Sequence, residues 1–279
     1  MAESVDIVAP STQSAAGVRL LPGLSRLWRA HQGVIIGVTS ILLFALLWEW
    51  VGTRGAINQL FFSSPSAIIK AAVRMFAQPD IWHDLAVSGT EFLLGFSLAI
   101  VLGIGFGMLL GWYPLLNHIF APFITSMNAT PRVALMPLLL IWFGIGLWSK
   151  VAIVFLGAVF PLLLNTYTAV RTLDPILLRA ARSFGARDWD IFKTIALPGS
   201  VPYVLTGLRL GVGRALVGIV VGELVGATAG VGFRIAIAGA TFQTDRMFVG
   251  ILIITGFGVL FTGLIDRLER RVEMWRARP

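Results

Sequence analysis

The chain has 279 residues, 57% of them hydrophobic and 13% charged, and its mean hydropathy is +0.84. Soluble domains run at about 45–50% apolar and roughly 25% charged residues, so a soluble enzyme with a polar shell is excluded, as is a disordered chain. The absence of cysteine removes disulfide frameworks, cysteine nucleophiles and thiolate metal sites, and the net charge of +8 takes its meaning from where the positives lie.

Residues 33–52 are the first stretch with the roughly 20 apolar residues that a spanning helix needs. The stretch starts late and no small-residue cleavage pattern follows it, which predicts an uncleaved helix rather than a signal peptide. Residues 66–78 are too short to span and carry Lys70 and Arg74, the pattern of an amphipathic helix lying at the interface. A glycine-rich second span covers 85–112. Residues 115–145, punctuated by Pro122, Pro131 and Pro137, are too long for one straight span and too short for two. They predict one interrupted helix, whose freed backbone groups must be met by protein or water rather than lipid. A fourth span covers 151–170, a charged loop follows over 171–198, and two further spans lie at about 203–227 and 248–265 with a polar-flanked loop between them.

Six spans put both termini on one side. That side receives thirteen of the 22 Lys and Arg residues: Arg19, Arg26 and Arg29, five in the 171–198 loop and five beyond residue 265. The other side receives six, and Arg132, Arg209 and Arg214 fall within or beside spans. The richer side is expected to be cytoplasmic. The +8 excess therefore records membrane orientation rather than affinity for nucleic acid.

The loop has internal order. Asp174 is a good N-cap, Pro175 suits the first helical position, and Ile176, Leu177, Ala180, Ala181 and Phe184 recur at helical spacing before Gly185. Asp188 is expected to cap a second short helix with Trp189, Phe192 and Ile195 on one side, ended by Pro198. Two amphipathic helices at a bend then offer an apolar-aromatic face rimmed by arginine. Such a unit either packs on its own spans or docks a cytoplasmic partner in helix-in-groove fashion.

The run Arg179-Ala180-Ala181, Gly185, Ile195 and Leu197-Pro198 resembles the "EAA" loop of the membrane subunits of bacterial binding-protein-dependent ABC importers. Arg179 stands where the family pattern has Glu. Three further stretches are similar to the nitrate/sulfonate/taurine group: Phe62 to Ala67, Pro137 to Gly146, and Leu205 to Arg209 with Gly213-Arg214. The resemblance implies an all-α polytopic fold of the type I ABC-importer permease. It would have a cytoplasmic tail over 1–32, a single permease domain over 33–265 with a coupling loop at 171–198, and a second cytoplasmic tail over 266–279. It also implies a pair of permease copies in the bacterial inner membrane, two ATPase subunits holding ATP and Mg, and an extracytoplasmic solute-binding protein. The ATPase-coupling set would be Arg179, Ala180, Ala181, Phe184, Gly185, Trp189, Phe192, Ile195, Leu197 and Pro198.

The absence of any G-x-x-x-x-G-K-[ST] phosphate loop agrees with ATP being bound by another chain, leaving this one without catalysis or cofactor. Gly103, Gly107 and Gly111, like Gly218, Gly222 and Gly226, repeat every four residues, which suits close helix packing or a dimer seam. The three histidines are scattered, which argues against a metal site.

Charged groups inside spans are costly. Glu49 and Glu91 are placed to reach the interface, and Arg209 to snorkel toward headgroups. Arg214 and Glu223 are deeper and lie about 13 Å apart along one helix, so each needs a partner elsewhere. With Asn128 and Arg132 at the Pro131 break, they form a candidate translocation path for an anionic solute such as nitrate, a sulfonate or taurine, unless the charges are interhelical ion pairs. An aromatic carboxylate or a thiamin precursor is compatible too. A stand-alone ion-coupled transporter fits poorly, because it needs inverted repeats and buried coupling carboxylates. An intramembrane enzyme lacks any Ser/His, paired-Asp or H-E-x-x-H constellation.

Overall fold

The computed structural model describes residues 22–54 and 61–276, with side chains placed at 32–54 and 61–271. Arg19 and Arg278, and the side chains of Arg26, Arg29 and Arg276, used above to orient the chain, lie outside that description. The described residues are helical throughout, in eleven α-helices joined by short turns, one 3-10 turn and one π turn. They fall into two units, residues 1–50 and 51–279.

Helix α1 (Pro22–Thr53) contains the first apolar span, Gln32–Thr53. Helix α2 (Pro65–Phe76) is the amphipathic segment. Ser64 caps it by accepting from the Ala67 amide, Ile68, Ala71 and Met75 are buried, and Lys70 and Arg74 face outward. Helix α3 (Pro79–Trp112) starts six residues earlier than the apolar run, because Pro79 fits the first turn and Asp80 favours the positive end of the helix dipole.

The interrupted segment resolves into α4 (Pro114–Ala129), a 3-10 turn (Arg132–Leu135) and α5 (Met136–Phe143), and the two arms are bent by 91°. Only Pro131 marks the break. Pro122 lies inside α4, and Pro137 sits in the first turn of α5, where a missing N–H costs nothing. Helix α6 (Leu147–Arg171) is the fourth span, and α7 (Pro175–Ser183) and α8 (Asp188–Ile191) make the charged loop.

The chain does not stop at Pro198. From α8 it passes through a π turn (Phe192–Ala196) straight into α9 (Leu197–Gly226), giving one continuous apolar rod from Asp188 to Gly226. The wider π turn relieves the clash of the Pro198 ring with the preceding turn, so the proline is absorbed in the first turn of α9. Between α9 and the last span lies a short apolar helix, α10 (Val231–Ala240). Helix α11 (Thr244–Arg276) carries the sixth span well into the expected C-terminal tail. Among the described residues, five helices are long and apolar enough to cross a membrane, and the bent α4/α5 pair makes a sixth.

The core is a three-helix stack with α6 in the middle. Phe92, Phe96 and Ala99 of α3 and Val212, Ala215 and Ile219 of α9 close on Val154, Ala158 and Leu162 of α6. The glycine stripes make this possible. A Cβ on Gly107 would sit 2.7 Å from the Leu163 carbonyl oxygen, and one on Gly103 3.0 Å from that of Val159. From the other side, Gly218 and Gly222 lie against Ile153 and Lys150. The stripes of α3 and α9 therefore serve seams within the chain, where van der Waals contact rather than water exclusion holds membrane helices together.

Candidate functional site

Two regions carry the chemistry. The first is the α7–α8 loop. Asp174 Oδ1 accepts from the Ile176 amide at 2.7 Å and Pro175 opens the helix. Gly185 closes it at φ +78°, a conformation that favours glycine, while the Ala186 amide reaches back to the Ala181 carbonyl at 3.1 Å. The second helix is capped from Arg187, whose amide donates to Asp190 Oδ2 at 3.1 Å; Asp188, expected as the cap, is its first helical residue. An exposed Arg182–Asp188 pair at 3.6 Å spans the bend and contributes at most about 1 kcal/mol.

The loop is anchored on one side only. Ile191 is buried and Phe192 meets Trp112, at the end of α3, edge-on at 5.4 Å. Trp189 stacks on Phe192 at 5.5 Å, and the Lys193 ammonium lies 4.8 Å over the Trp189 ring. No side chain of α7 is buried. Phe184 is 92% exposed and Trp189 62%, and Ile176, Leu177 and Arg179 also face outward. The ten residues singled out from sequence thus divide. Phe184 and Trp189 are presented, with Ala180 and Ala181 on the free helix. Phe192 and Ile195 are half-buried toward the bundle, and Leu197 and Pro198 belong to the start of α9. Ile191 was missed, because a single isoleucine in so short a helix carries no periodic signal.

The second region is a set of polar groups running from the middle of the bundle, where Arg132 lies against Phe160 of α6, to the end opposite the loop. Arg132 Nη2 donates to Asn128 Oδ1 at 2.9 Å across the Pro131 break, and its guanidinium lies 5.4 Å over the Phe160 ring. Its Nε is buried without a hydrogen-bond partner. Arg214 is exposed and close enough to Arg132 for their like charges to interact. Glu223 stands apart from these three. It is 1% exposed, it accepts from Ser88 Oγ and from the Gly232 amide, each at 2.5 Å, and it does not pair with Arg214.

Around Glu223 is a buried cluster that spans four helices. Asp84 accepts from the Gly230 amide at 2.8 Å and from Arg234 Nε, and Ser88 Oγ accepts from the Val231 amide at 2.9 Å. Lys150, 2% exposed, donates to the Gly226 carbonyl. Glu91 is 4% exposed and faces Glu223, so it does not reach the interface as its position in the span suggested. The turn from α9 to α10 is thereby tied to α3 by three side-chain bonds, and Gly230 adopts φ +115° against the Glu223 carboxyl. Sequence reasoning missed Asp84, Ser88, Lys150 and Arg234. The signal was present: Asp84, Ser88 and Glu91 recur at i, i+4 and i+7, one stripe of a single helix face. At the far end of α9, Arg209 binds Asp266 at 2.5 Å and also Glu269 of α11, rather than snorkelling to lipid.

Two hollows flank the cluster. One of about 620 Å³ is lined by Asp80, His83, Asp84, Arg234, Gln243 and Arg246 among others, and one of about 450 Å³ by Glu91, Lys150, Thr90 and Thr228. Among the described residues no group of three or more His, Cys, Asp or Glu side chains is arranged to hold a metal ion.

Comparison with known proteins fits this architecture. The taurine transport system permease protein TauC of Escherichia coli is 31% identical over 253 residues, covering 89% of this chain and 92% of its own. The putative aliphatic sulfonates transport permease protein SsuC of Bacillus subtilis is 30% identical over 267 residues, covering 96% and 95%. A chain of the inward-facing MetNI methionine ABC transporter superposes with a TM-score of 0.61 at 18% identity, covering 69% of this chain and 95% of its own, which speaks for the fold. Residues 99–274, from the middle of α3 through α11, match the family described as the binding-protein-dependent transport system inner membrane component, and the chain belongs to that family.

Proposed function

We propose that the chain is the membrane subunit of an ATP-driven importer for a small sulfonate, taurine or an alkanesulfonate. The reading rests on the sulfonate and taurine relatives and on the arginines at the α4/α5 break. Two copies pair in the inner membrane with both termini cytoplasmic. Each receives one ATPase subunit on its loop, and a solute-binding protein delivers from outside. Asn128, Arg132 and Arg214 line the path, where guanidinium groups suit a sulfonate; Glu223 acts through the buried cluster instead. ATP is bound and hydrolysed on the partner chain.

The observation that carries coupling is the α7–α8 loop, apolar and aromatic yet uncovered, with Phe184 at its tip and Phe192 as its root. Closure of the ATPases would move this loop as a rigid unit, because the π turn joins it without a break to α9. The test is co-purification and uptake. Phe184→Ala with Trp189→Ala removes two aromatic anchors, and is expected to cut uptake by about tenfold or more while the complex's own ATP hydrolysis persists. Deleting 176–195 is expected to lose the ATPase subunit altogether. Undiminished uptake by the double variant sinks the coupling role, and an ATPase that stays bound to the deletion variant sinks the docking site.

A further inference from the structure

Five arginines follow residue 265, at 267, 270, 271, 276 and 278, against three acidic residues, Asp266, Glu269 and Glu273. Arg209 of α9 engages two of those three, binding Asp266 at 2.5 Å and Glu269 from the same Nη2. By charge count Glu273 alone remains against the five. The clamp also fixes which way α11 faces. Ile265 is buried in the core, and Asp266 and Glu269 meet α9. At about 3.6 residues per turn, Leu264, Arg267, Leu268 and Arg271 then lie on the opposite face. Leu264 is 43% exposed and Leu268 52%. Arg267, Arg270 and Arg271 are exposed, and none of them forms an ion pair with an acidic side chain among the described residues. Arg267 and Arg271 stand four residues apart on the helix, where like charges repel, and an anion held between them relieves the repulsion.

We propose that this face binds an anionic glycerophospholipid of the surrounding membrane. Arg267, Arg270 and Arg271 hold the headgroup phosphate, and the acyl chains lie along Leu264 and Leu268. Guanidinium matches phosphate with paired hydrogen bonds, and a basic cluster at the end of a span attracts anionic lipid. The two exposed leucines favour lipid over an acidic protein partner, because they continue the apolar span of α11 directly into the arginines. The site rests on α11 crossing the membrane and not on a substrate or on ATPase coupling. The importer reading enters only in naming the cytoplasmic leaflet as the source of the lipid.

The test uses the full chain in a neutral detergent. Dioctanoyl phosphatidylglycerol, dioctanoyl phosphatidylcholine and glycerol phosphate are titrated separately at constant ionic strength, and binding is read as a shift in unfolding temperature. Phosphatidylglycerol is expected to give a saturable shift that shrinks when the titration is repeated at higher salt, and the other two none. Arg267→Gln, Arg270→Gln and Arg271→Gln are each expected to weaken binding about fivefold, and all three together on the order of a hundredfold. Lysine at the same three positions keeps the charge and is expected to retain most of the binding. The single variants carry the test even if the triple one folds poorly. A response to phosphatidylcholine equal to that to phosphatidylglycerol overturns the proposal, as does unchanged affinity in the triple glutamine variant. An equal shift from glycerol phosphate makes the face a site for free anions and overturns it too. Co-purification is read in parallel. Loss of the ATPase subunit from the triple glutamine variant, with no phosphatidylglycerol response in the parent, gives the face to a protein partner and overturns the lipid site. An ATPase subunit that never accompanies the parent chain overturns the importer reading and leaves the titration to decide the lipid site.

Discussion

Asp84 shows how much a single buried carboxylate can hold. It accepts from the Gly230 amide and from Arg234, so its loss leaves an amide and a guanidinium without partners at the turn into α10. Asp84→Ala is expected to cost about 3–5 kcal/mol, measured by denaturant unfolding in detergent. Asp84→Asn, which keeps an acceptor for Gly230, is expected to cost clearly less. Equal stability of the alanine variant and the parent would show the turn to be held by other contacts. Glu223 and Ser88 belong to the same scale: each acquires its meaning from a neighbour 9 to 143 positions away.

At the scale of the element, the glycines of α3 separate packing from permissiveness. Gly103 and Gly107 are pressed against α6, whereas Gly105, on the same helix, has open space around it. Gly107→Val is expected to force α3 off α6 at a cost of about 1–3 kcal/mol or more. Gly105→Ala is expected to be neutral or stabilising by up to about 1 kcal/mol, because alanine restricts the unfolded chain and favours the helix. Unfolding temperatures of the two variants side by side check this, and an equal loss in both would mean the stripe has no special face. The four-residue repeat was legible beforehand, but whether it met a helix of the same chain or of a second copy was not. Spacing identifies a close-packing face without naming what it packs on. The π turn was illegible for a related reason. Pro198 reads as a stop in one dimension, and only the continuity of the helix around it reveals that a wider turn takes it in.

For the whole molecule, opposite ends of α3 mark opposite ends of the bundle: Trp112 meets Phe192 of the charged loop, and Ser88 meets Glu223 and Val231. The distribution of arginine and lysine leads us to expect the loop end in the cytoplasm. The cysteine-free chain allows a direct check with single substitutions. Phe184→Cys is expected to be modified by a membrane-impermeant maleimide only after the cells are opened, and Gln243→Cys in intact spheroplasts. The reverse pattern would invert the topology.

Composition, span count, the amphipathic segment at α2 and the helix–bend–helix of the α7–α8 loop were all decided by the sequence alone. Each depends on local physics: enough apolar residues to cross a bilayer, a cap, a helix-ending glycine. The family pattern was legible in the same loop for the same reason, since its residues are near neighbours in the chain. What the tertiary structure alone decided is which polar groups share a site. Sequence grouped Asn128, Arg132, Arg214 and Glu223 by depth within spans; packing kept the first three near one another and sent Glu223 to Asp84, Ser88, Glu91 and Lys150. A charge buried in a helix stack must find its partner across a seam, and which helices form that seam depends on where glycine lets backbones touch.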